Sequence, residues 1–419
     1  MGANESLIVG LDVGSSAIRI AVAQRASGEG DGGLQIVGAI EVPAAGISKG
    51  TISSIEDATS AVSACMEKAE RMLGAPLERA WVGISGSHIL TEESRGVVAV
   101  GKPDGEITEE DVERAIEAAR TVATPLNYEI LHVIPKSFTV DGQSGIKDPV
   151  GMTGIRLEVE AQIIQGLTSQ IKNLTKCIYR TGFDIEDLVL SILATSEAVT
   201  TPRQKELGVA VVNMGGSTTS YAVFEEGDLL STGVIPIGSD HITADIAIGL
   251  RTSIDVAERV KIEHGTVLPK ELTKKEEINL EELGGETETV SRKYVAEIIA
   301  ARVEELFERI DRELKKIGRS GMLPSGVIFS GGGAKLTGLT EFAKQKLRLP
   351  ASLGYPGGVS SVLDRVSDLA FSTAVGLAVW GGEMERARGK SGGLSKLVSL
   401  RGINRVLGNM KRMFKSLIP

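Results

Sequence analysis

Between Gly208 and Phe224 the sequence reads GVAVVNMGGSTTSYAVF. Val209, Ala210, Val211 and Val212 form a buried-type strand, Gly215, Gly216, Ser217, Thr218 and Thr219 a tight polar turn, and Tyr221 to Phe224 a returning strand. So many small residues between apolar strands fit a backbone that must approach something closely. Successive N–H groups and hydroxyls with no side chain in the way suit a phosphate chain, although an ordinary β-hairpin reads the same way. Leu7 to Val22, LIVGLDVGSSAIRIAV, repeats the plan with Asp12, Gly14, Ser15 and Ser16 in its turn. A third cluster, Ser330-Gly331-Gly332-Gly333-Ala334, follows the apolar run Gly326 to Phe329, with Lys335 directly after it. One glycine-rich turn is weak evidence. Three, each behind a buried-type strand, point to two similar lobes offering phosphate loops to a shared cleft.

The side chains around these turns carry the remaining chemistry. Asp12 reads either as a magnesium–water ligand or as a turn cap. Arg19, on the returning strand, faces either phosphates or solvent. Asn213 takes the place in the second turn that Asp12 has in the first, and Ser220 stands where a carboxylate would close the loop. An amide cannot supply the charge that orients a metal-bound water, so nucleotide binding survives this change more readily than hydrolysis. Glu258 and Lys261 lie three apart on one helix face, either bracketing a ribose or base or forming a surface ion pair. His88, His132, His241 and His264 show no ligand spacing, and no structural metal site is expected.

The elements that must hold these residues alternate in type. Strands are expected at Leu7–Asp12, Ala17–Gln24 and Gln35–Val42, and helices at Glu56 to Leu73, Thr168 to Thr181, Thr243 to Glu258 and Ser291 to Lys316. Thr108 and Asp111 open a helix with a capping box inside a compact α+β insert of about 75 residues, from 86 to 162. That insert reads as an interaction module. Lys270 to Thr289 is charged and polar and is expected to be exposed. With 419 residues, 50 of them glycine, and two cysteines far apart, the chain fits an α/β class of about two to four domains with buried thiols. Net charge is −9, which argues against a nucleic-acid partner. Neither a signal peptide nor a run of about 18 apolar residues is seen, so a cytoplasmic protein is expected unless something anchors it.

The tail supplies an anchor. From Arg386 onward there are nine Lys or Arg and no Asp or Glu, which leaves −18 on the body. After the linker-like KSGGL, apolar residues (Leu400, Ile403, Val406, Leu407, Met410, Met413, Phe414, Leu417, Ile418) fall on an arc of about 140° at helical spacing. Arg401, Arg405, Lys411, Arg412 and Lys415 occupy the other side. Such a helix fits the surface of an anionic membrane, each basic residue adding roughly 1 kcal/mol; a docked core helix or a partner-bound helix are the alternatives.

Taken together, IVGLDVGSSAIRIAV, GVAVVNMGGSTTSYAVF, IFSGGGAKLTGL, PKSFTVDGQSGIKDPVGMTGIRLE, IGSDHITADIAIGLRTSIDVAERVKIEHG and VSRKYVAEIIAARVEELFERI resemble the FtsA family of actin-like bacterial cell-division proteins over nearly the whole chain. The resemblance implies an actin-like two-lobe ATPase fold with ATP and magnesium in the central cleft. It implies subdomain 1A at 1–85 and 163–202, an inserted 1C at 86–162, 2A at 203–260 and 323–382, and 2B at 261–322. A flexible linker at 383–397 and an amphipathic membrane helix at 398–419 would follow. It further implies actin-like filaments, other division proteins as partners, and binding of the FtsZ tail through 2B, where Arg302 falls. Departures from the family pattern are Asn213 and Ser220 for acids, Arg19 for lysine and Ser15 for threonine. A PilM-like pilus scaffold is the rival reading, opposed by the basic tail. A sugar kinase or Hsp70-like ATPase lacks, respectively, a catalytic Asp candidate and enough residues after 385.

Overall fold

Two hairpins with the same register set the frame of this computed structural model, which describes residues 7–25, 33–121, 124–273, 275–361 and 363–389. In the first, β1 (Ile8–Val13) and β2 (Ala17–Arg25) pair antiparallel with Asp12 opposite Arg19. β3 (Leu34–Pro43) adds to β2, and a small hairpin, β4 (Ile47–Ser48) and β5 (Thr51–Ile52), leads to α1 (Ile55–Leu73). Ser54 caps α1 through the Asp57 N–H, Gly74 ends it in the left-handed region, and the helix buries Ala58, Val62, Cys65 and Ala69. β6 (Arg79–Ile84) then pairs parallel to β1.

The insert follows: β7 (Ile89–Ala99), α2 (Glu109–Arg120), β8 (Tyr128–Val140), β9 (Gln143–Ile146) and β10 (Arg156–Leu167). Its strands form an antiparallel sheet in the order β7-β10-β8-β9, with a hydrophobic core of its own that includes Val112, Ala115, Leu157 and Val159. Thr108 and Asp111 make the expected capping box at the start of α2.

The chain returns through α3 (Thr168–Tyr179), β11 (Asp184–Leu190), α4 (Ser191–Val199) and α5 (Pro202–Leu207). The second hairpin is β12 (Val209–Met214) with β13 (Thr219–Glu225), Asn213 opposite Ser220, and β14 (Asp228–Ile235) beyond it. α6 (Ser239–Leu250), α7 (Ile254–His264), β15 (Glu277–Asn279), β16 (Thr289–Ser291) and α8 (Arg292–Lys316) build the outer part of this lobe. β17 (Val327–Ser330), α9 (Leu339–Leu347) and β18 (Ala351–Leu353) complete its sheet, ordered β14-β13-β12-β17-β18.

β19 (Val359–Ser361) and α10 (Ser372–Gly389) cross back to the first lobe, whose sheet runs β11-β6-β1-β2-β3-β19. α10 lies directly on β1: a Cβ on Gly10 would come within 2.2 Å of the Ala374 carbonyl, so only glycine lets the two backbones meet. Val375 and Leu377 are fully buried there, each such side chain contributing about 1.5–3 kcal/mol.

Three expectations are corrected. The helix expected over Thr243 to Glu258 is two, because Arg251 turns left-handed (φ 52°) and Ser253 caps a new helix through the Val256 N–H. The stretch Lys270 to Thr289 is not simply exposed: β15 and β16 pair, and Ile278, Leu280 and Leu283 are buried between its charges. Residues 383–389, expected as linker, continue α10, with Met384 buried on the first-lobe core. The expected membrane helix, from Arg401 to Leu417, lies outside the described residues. Among the described residues no helix is long and apolar enough to cross a membrane.

Candidate nucleotide cleft between the lobes

Both hairpin turns close in the same way. The Gly14 N–H donates to the Ala17 carbonyl at 3.2 Å, and the Gly215 N–H to the Thr218 carbonyl at 2.9 Å. The turns face each other across one cavity of about 590 Å³, within the range of small-ligand sites. Asp12, Gly14, Ser15, Ser16 and Arg19 line it from the first lobe; Asn213, Gly215, Gly216, Ser217 and Thr218 line it from the second. Gly331, Gly332, Gly333, Lys335, Glu258 and Lys261 complete the predicted set in the wall. Two predicted residues fall outside. Thr219 is fully buried with its hydroxyl donating to the Ile237 carbonyl, and Ala334 packs into the second-lobe core. Both sit one residue past a turn, where the strand or helix has already turned its side chain inward.

The loops are held by their neighbours rather than by each other's strands. Ser239 and Asp240, the first residues of α6, donate their N–H groups to the carbonyls of Gly215 and Gly216 at 2.9 Å each. This satisfies free donors of the helix start and stiffens the second turn. A Cβ on Gly216 would lie 2.0 Å from Ser16 Oγ and 2.9 Å from Asp240 Oδ2, so the two turns nearly touch. In the first turn the Gly50 N–H donates to Ser15 Oγ at 3.0 Å.

Side-chain electrostatics divide the cavity. Arg19 is bound to Glu41 through Nε at 2.6 Å, and its guanidinium lies 5.8 Å from the centre of the Phe371 ring. Burial pushes the half-buried Asp12 carboxyl up to about 6, with Arg19 pulling the other way. A carboxylate so placed is relieved by a cation and offers oxygen ligands, which is what a magnesium site asks of the protein. Asn213 is already engaged: its amide donates to Thr373 Oγ1 at 3.0 Å and to Thr195 Oγ1 at 3.4 Å. Lys261 is buried, donates to Thr243 Oγ1 at 2.8 Å and pairs with Glu258 Oε2 at 2.6 Å. The Glu258–Lys261 pair is therefore part of the wall, with Lys261 buried and the Glu258 carboxylate still open to solvent. Lys335 pairs with Asp368 at 2.7 Å.

Sequence reasoning missed Asp240, Ser85, Ser191 and Thr373, all in the wall. Asp240 had a signal: Gly238-Ser239-Asp240 comes two residues after the strand that follows the second hairpin. The other three reach the cavity only through tertiary crossing of α4, α10 and β6. Arg302 lies elsewhere, on α8, where it makes a two-pronged bond to Asp245 at 2.6 and 2.9 Å and also pairs with Glu305. Asp245 holds the Arg302 guanidinium firmly protonated. Tyr294 and Ile248 are exposed on the same two helices, α8 and α6.

Comparison with known proteins places this architecture. The cell division protein FtsA of Pseudomonas aeruginosa is 36% identical over 376 residues, covering 90% of this chain and 89% of the relative. FtsA of Bacillus subtilis is 38% identical over 388 residues, covering 92% and 86%. The chain belongs to the FtsA family. The family model for cell division protein FtsA matches residues 210–376, and that for the SHS2 domain inserted in FtsA matches residues 86–165, the insert described above. Among solved structures, PilM in a PilM–PilN type IV pilus biogenesis complex is similar with a TM-score of 0.66 at 16% identity, covering 89% of this chain and 98% of that one. MreB5 of Spiroplasma citri, in a structure bound to ADP, gives 0.53 at 11% identity, covering 92% and 99%. At such identity these two speak to the fold alone, which is actin-like, and the family assignment rests on the FtsA relatives.

Proposed function

We propose that the chain binds ATP with magnesium in this cavity, polymerises on the inner face of the cytoplasmic membrane and tethers the FtsZ ring at the division site. The observation that carries the nucleotide reading is the pair of register-matched hairpins whose turns face one cavity from opposite lobes. Backbone N–H groups and hydroxyls of Gly14, Ser15, Ser16, Gly215, Gly216, Ser217 and Thr218 would receive the phosphate oxygens. Gly331, Gly332, Gly333 and Lys335, with Glu258 and Lys261, would face the nucleoside. Asp12 would hold magnesium through water; the ion supplies neutralisation of phosphate charge. With Asn213 in place of an acid, hydrolysis is slow or absent, and the nucleotide chiefly supports polymerisation.

In this reading 1–85 with 163–202, 86–162, 203–260 with 323–382, and 261–322 are subdomains 1A, 1C, 2A and 2B. The FtsZ tail docks on 2B beside Arg302, near the exposed Tyr294 and Ile248. Residues 398–419 bind anionic lipid through the apolar arc and basic face of their sequence. The test is co-sedimentation with anionic liposomes, with ATP, of the full chain and of a chain lacking 396–419. Electron microscopy of the pellet follows. Pelleting by the full chain alone, with filaments on the vesicles, is the expected result. Equal pelleting of both, or of neither, would sink the membrane-tether reading and favour a cytoplasmic scaffold.

A further inference from the structure

The insert is joined to the two lobes in unequal ways. To the first lobe it is fixed: β10 runs straight into α3, and His132 of β8, almost fully buried, accepts the Leu190 N–H at 2.9 Å at the end of β11. To the second lobe it is attached along the edge strand β14, whose Leu229 and Val234 share a hydrophobic cluster with the insert's Ile164, and by a few polar contacts. Gln162 of β10 donates its amide to the Leu230 carbonyl of β14. Lys147, just past β9, donates to the Glu226 carbonyl and pairs with Asp228 Oδ2 at 3.5 Å. At the root of the insert Ser85 and Ser220 share a hydrogen bond at 3.0 Å inside the cavity wall.

We propose that the insert is a clasp that holds the two lobes together over the cleft. β14 is hydrogen-bonded to β13, and β13 carries Ser220 into the cavity. Moving the second lobe away from the first must therefore either break the Gln162 and Lys147 contacts or bend the insert at its buried His132 anchor. The Lys147 contacts are exposed and are the weaker element, so they release first, while Gln162 is buried. A ligand that bridges both turns and the clasp favour the same lobe arrangement. Each must then strengthen the other, and by linkage the effect is reciprocal. A partner that takes hold of the Lys147 edge of the insert would loosen the ligand. This inference rests on the reading of the cavity as a nucleotide site.

The test compares wild type, Lys147→Glu and the charge swap Lys147→Glu/Asp228→Lys in two measurements. One is the rate at which a fluorescent ATP analogue leaves on chase with excess ATP. The other is amide hydrogen exchange of residues 228–235 in the protein without nucleotide. The single variant should release the analogue about threefold to tenfold faster, in keeping with the loss of one exposed ion pair and one hydrogen bond, and should exchange faster at 228–235. The swap should return both towards wild type. Wild-type release in Lys147→Glu, with faster exchange at 228–235, would overturn the clasp while leaving the nucleotide reading intact. Failure of the wild type to retain the analogue would instead remove the nucleotide reading, and hydrogen exchange alone would decide. Unchanged exchange in Lys147→Glu then overturns the clasp.

Discussion

Asn213 donates its side-chain amide to Thr373 Oγ1 at 3.0 Å, and so ties the floor of the second hairpin to the helix that returns to the first lobe. At the matching position of the first hairpin, Asp12 faces Arg19. The two halves of the cleft thus share a backbone and differ in charge. Asn213→Asp should keep the fold, because the hydroxyls of Thr195 and Thr373 can rotate to donate to a carboxylate. Phosphate release under ATP should then rise by about tenfold or more, within the range a positioned acid–base group supplies. An unchanged rate would show that this residue does not set turnover.

Asp12 carries a cost in the protein without a cation. Its carboxyl titrates near 6, above its ordinary 3.8, because burial disfavours the charged form more than Arg19 favours it. The sign follows: ionisation is easier in the unfolded chain, so stability falls as pH rises from about 4 to 6 and stays lower above that window. Asp12→Asn should therefore raise stability at pH 7.5 by about 1–2 kcal/mol, the shift discounted for partial solvent access, and change little at pH 4. It should at the same time abolish the magnesium dependence of nucleotide retention. Thermal unfolding at the two pH values checks the first part; a lower melting temperature at pH 7.5 would contradict it.

Asp111 behaves in the opposite sense. Burial pushes its carboxyl up, but donors from the Thr108 backbone and hydroxyl, Arg114 and the Gly101 N–H outweigh this and hold it at about 2. Its stabilising contribution is complete above about pH 4 and is lost as pH falls towards 2. Asp111→Ala should cost about 2 kcal/mol at pH 7, from the lost helix cap and the stranded donors. The difference from wild type should shrink in acid. An equal penalty at pH 7 and pH 3 would place its role in packing alone.

Arg302 offers a separation of fold from partner binding. Arg302→Glu places like charge beside Asp245 and Glu305 and should lower the melting temperature. It should also weaken binding of an FtsZ C-terminal peptide about tenfold, as expected when a polar anchor is lost from a small interface. The swap Arg302→Glu/Asp245→Arg should recover the melting temperature but not the peptide, read by fluorescence anisotropy. Recovery of both would assign Arg302 a purely structural part.

Much of the cleft was legible because turns and strands are local. The hairpins at Asp12 and Asn213 announce themselves through apolar runs broken by Gly, Ser and Thr, and the register of a two-stranded hairpin follows from its turn. The break at Arg251 was hidden because the apolar period continues through it, from Ile246 and Leu250 to Val256 and Ala257. Only the cap at Ser253 gives it away. Ser85, Ser191 and Thr373 were illegible for a different reason: a lone serine or threonine at the end of an element has no pattern, and the cavity is made by elements far apart in sequence. β19 reads as a loop because Val359 is a lone apolar residue between Gly357-Gly358 and Ser360-Ser361.

That last strand, with α10, has a bearing on how the protein is made. β19 covers the outer edge of β3 by pairing Val359 with Leu34, and Ala374 and Leu377 seal the face of β1. During synthesis the earliest strands therefore wait for some of the latest residues: a nascent chain stopped short of Val359 carries an open edge, and one stopped short of Ser372 carries a bare apolar face. The insert, whose core lies within its own span, and the outer face of the second lobe, whose core draws on residues 210–369 alone, can condense first. The half of the molecule translated first is the last to settle, and the basic tail leaves the ribosome only behind the helix that closes it.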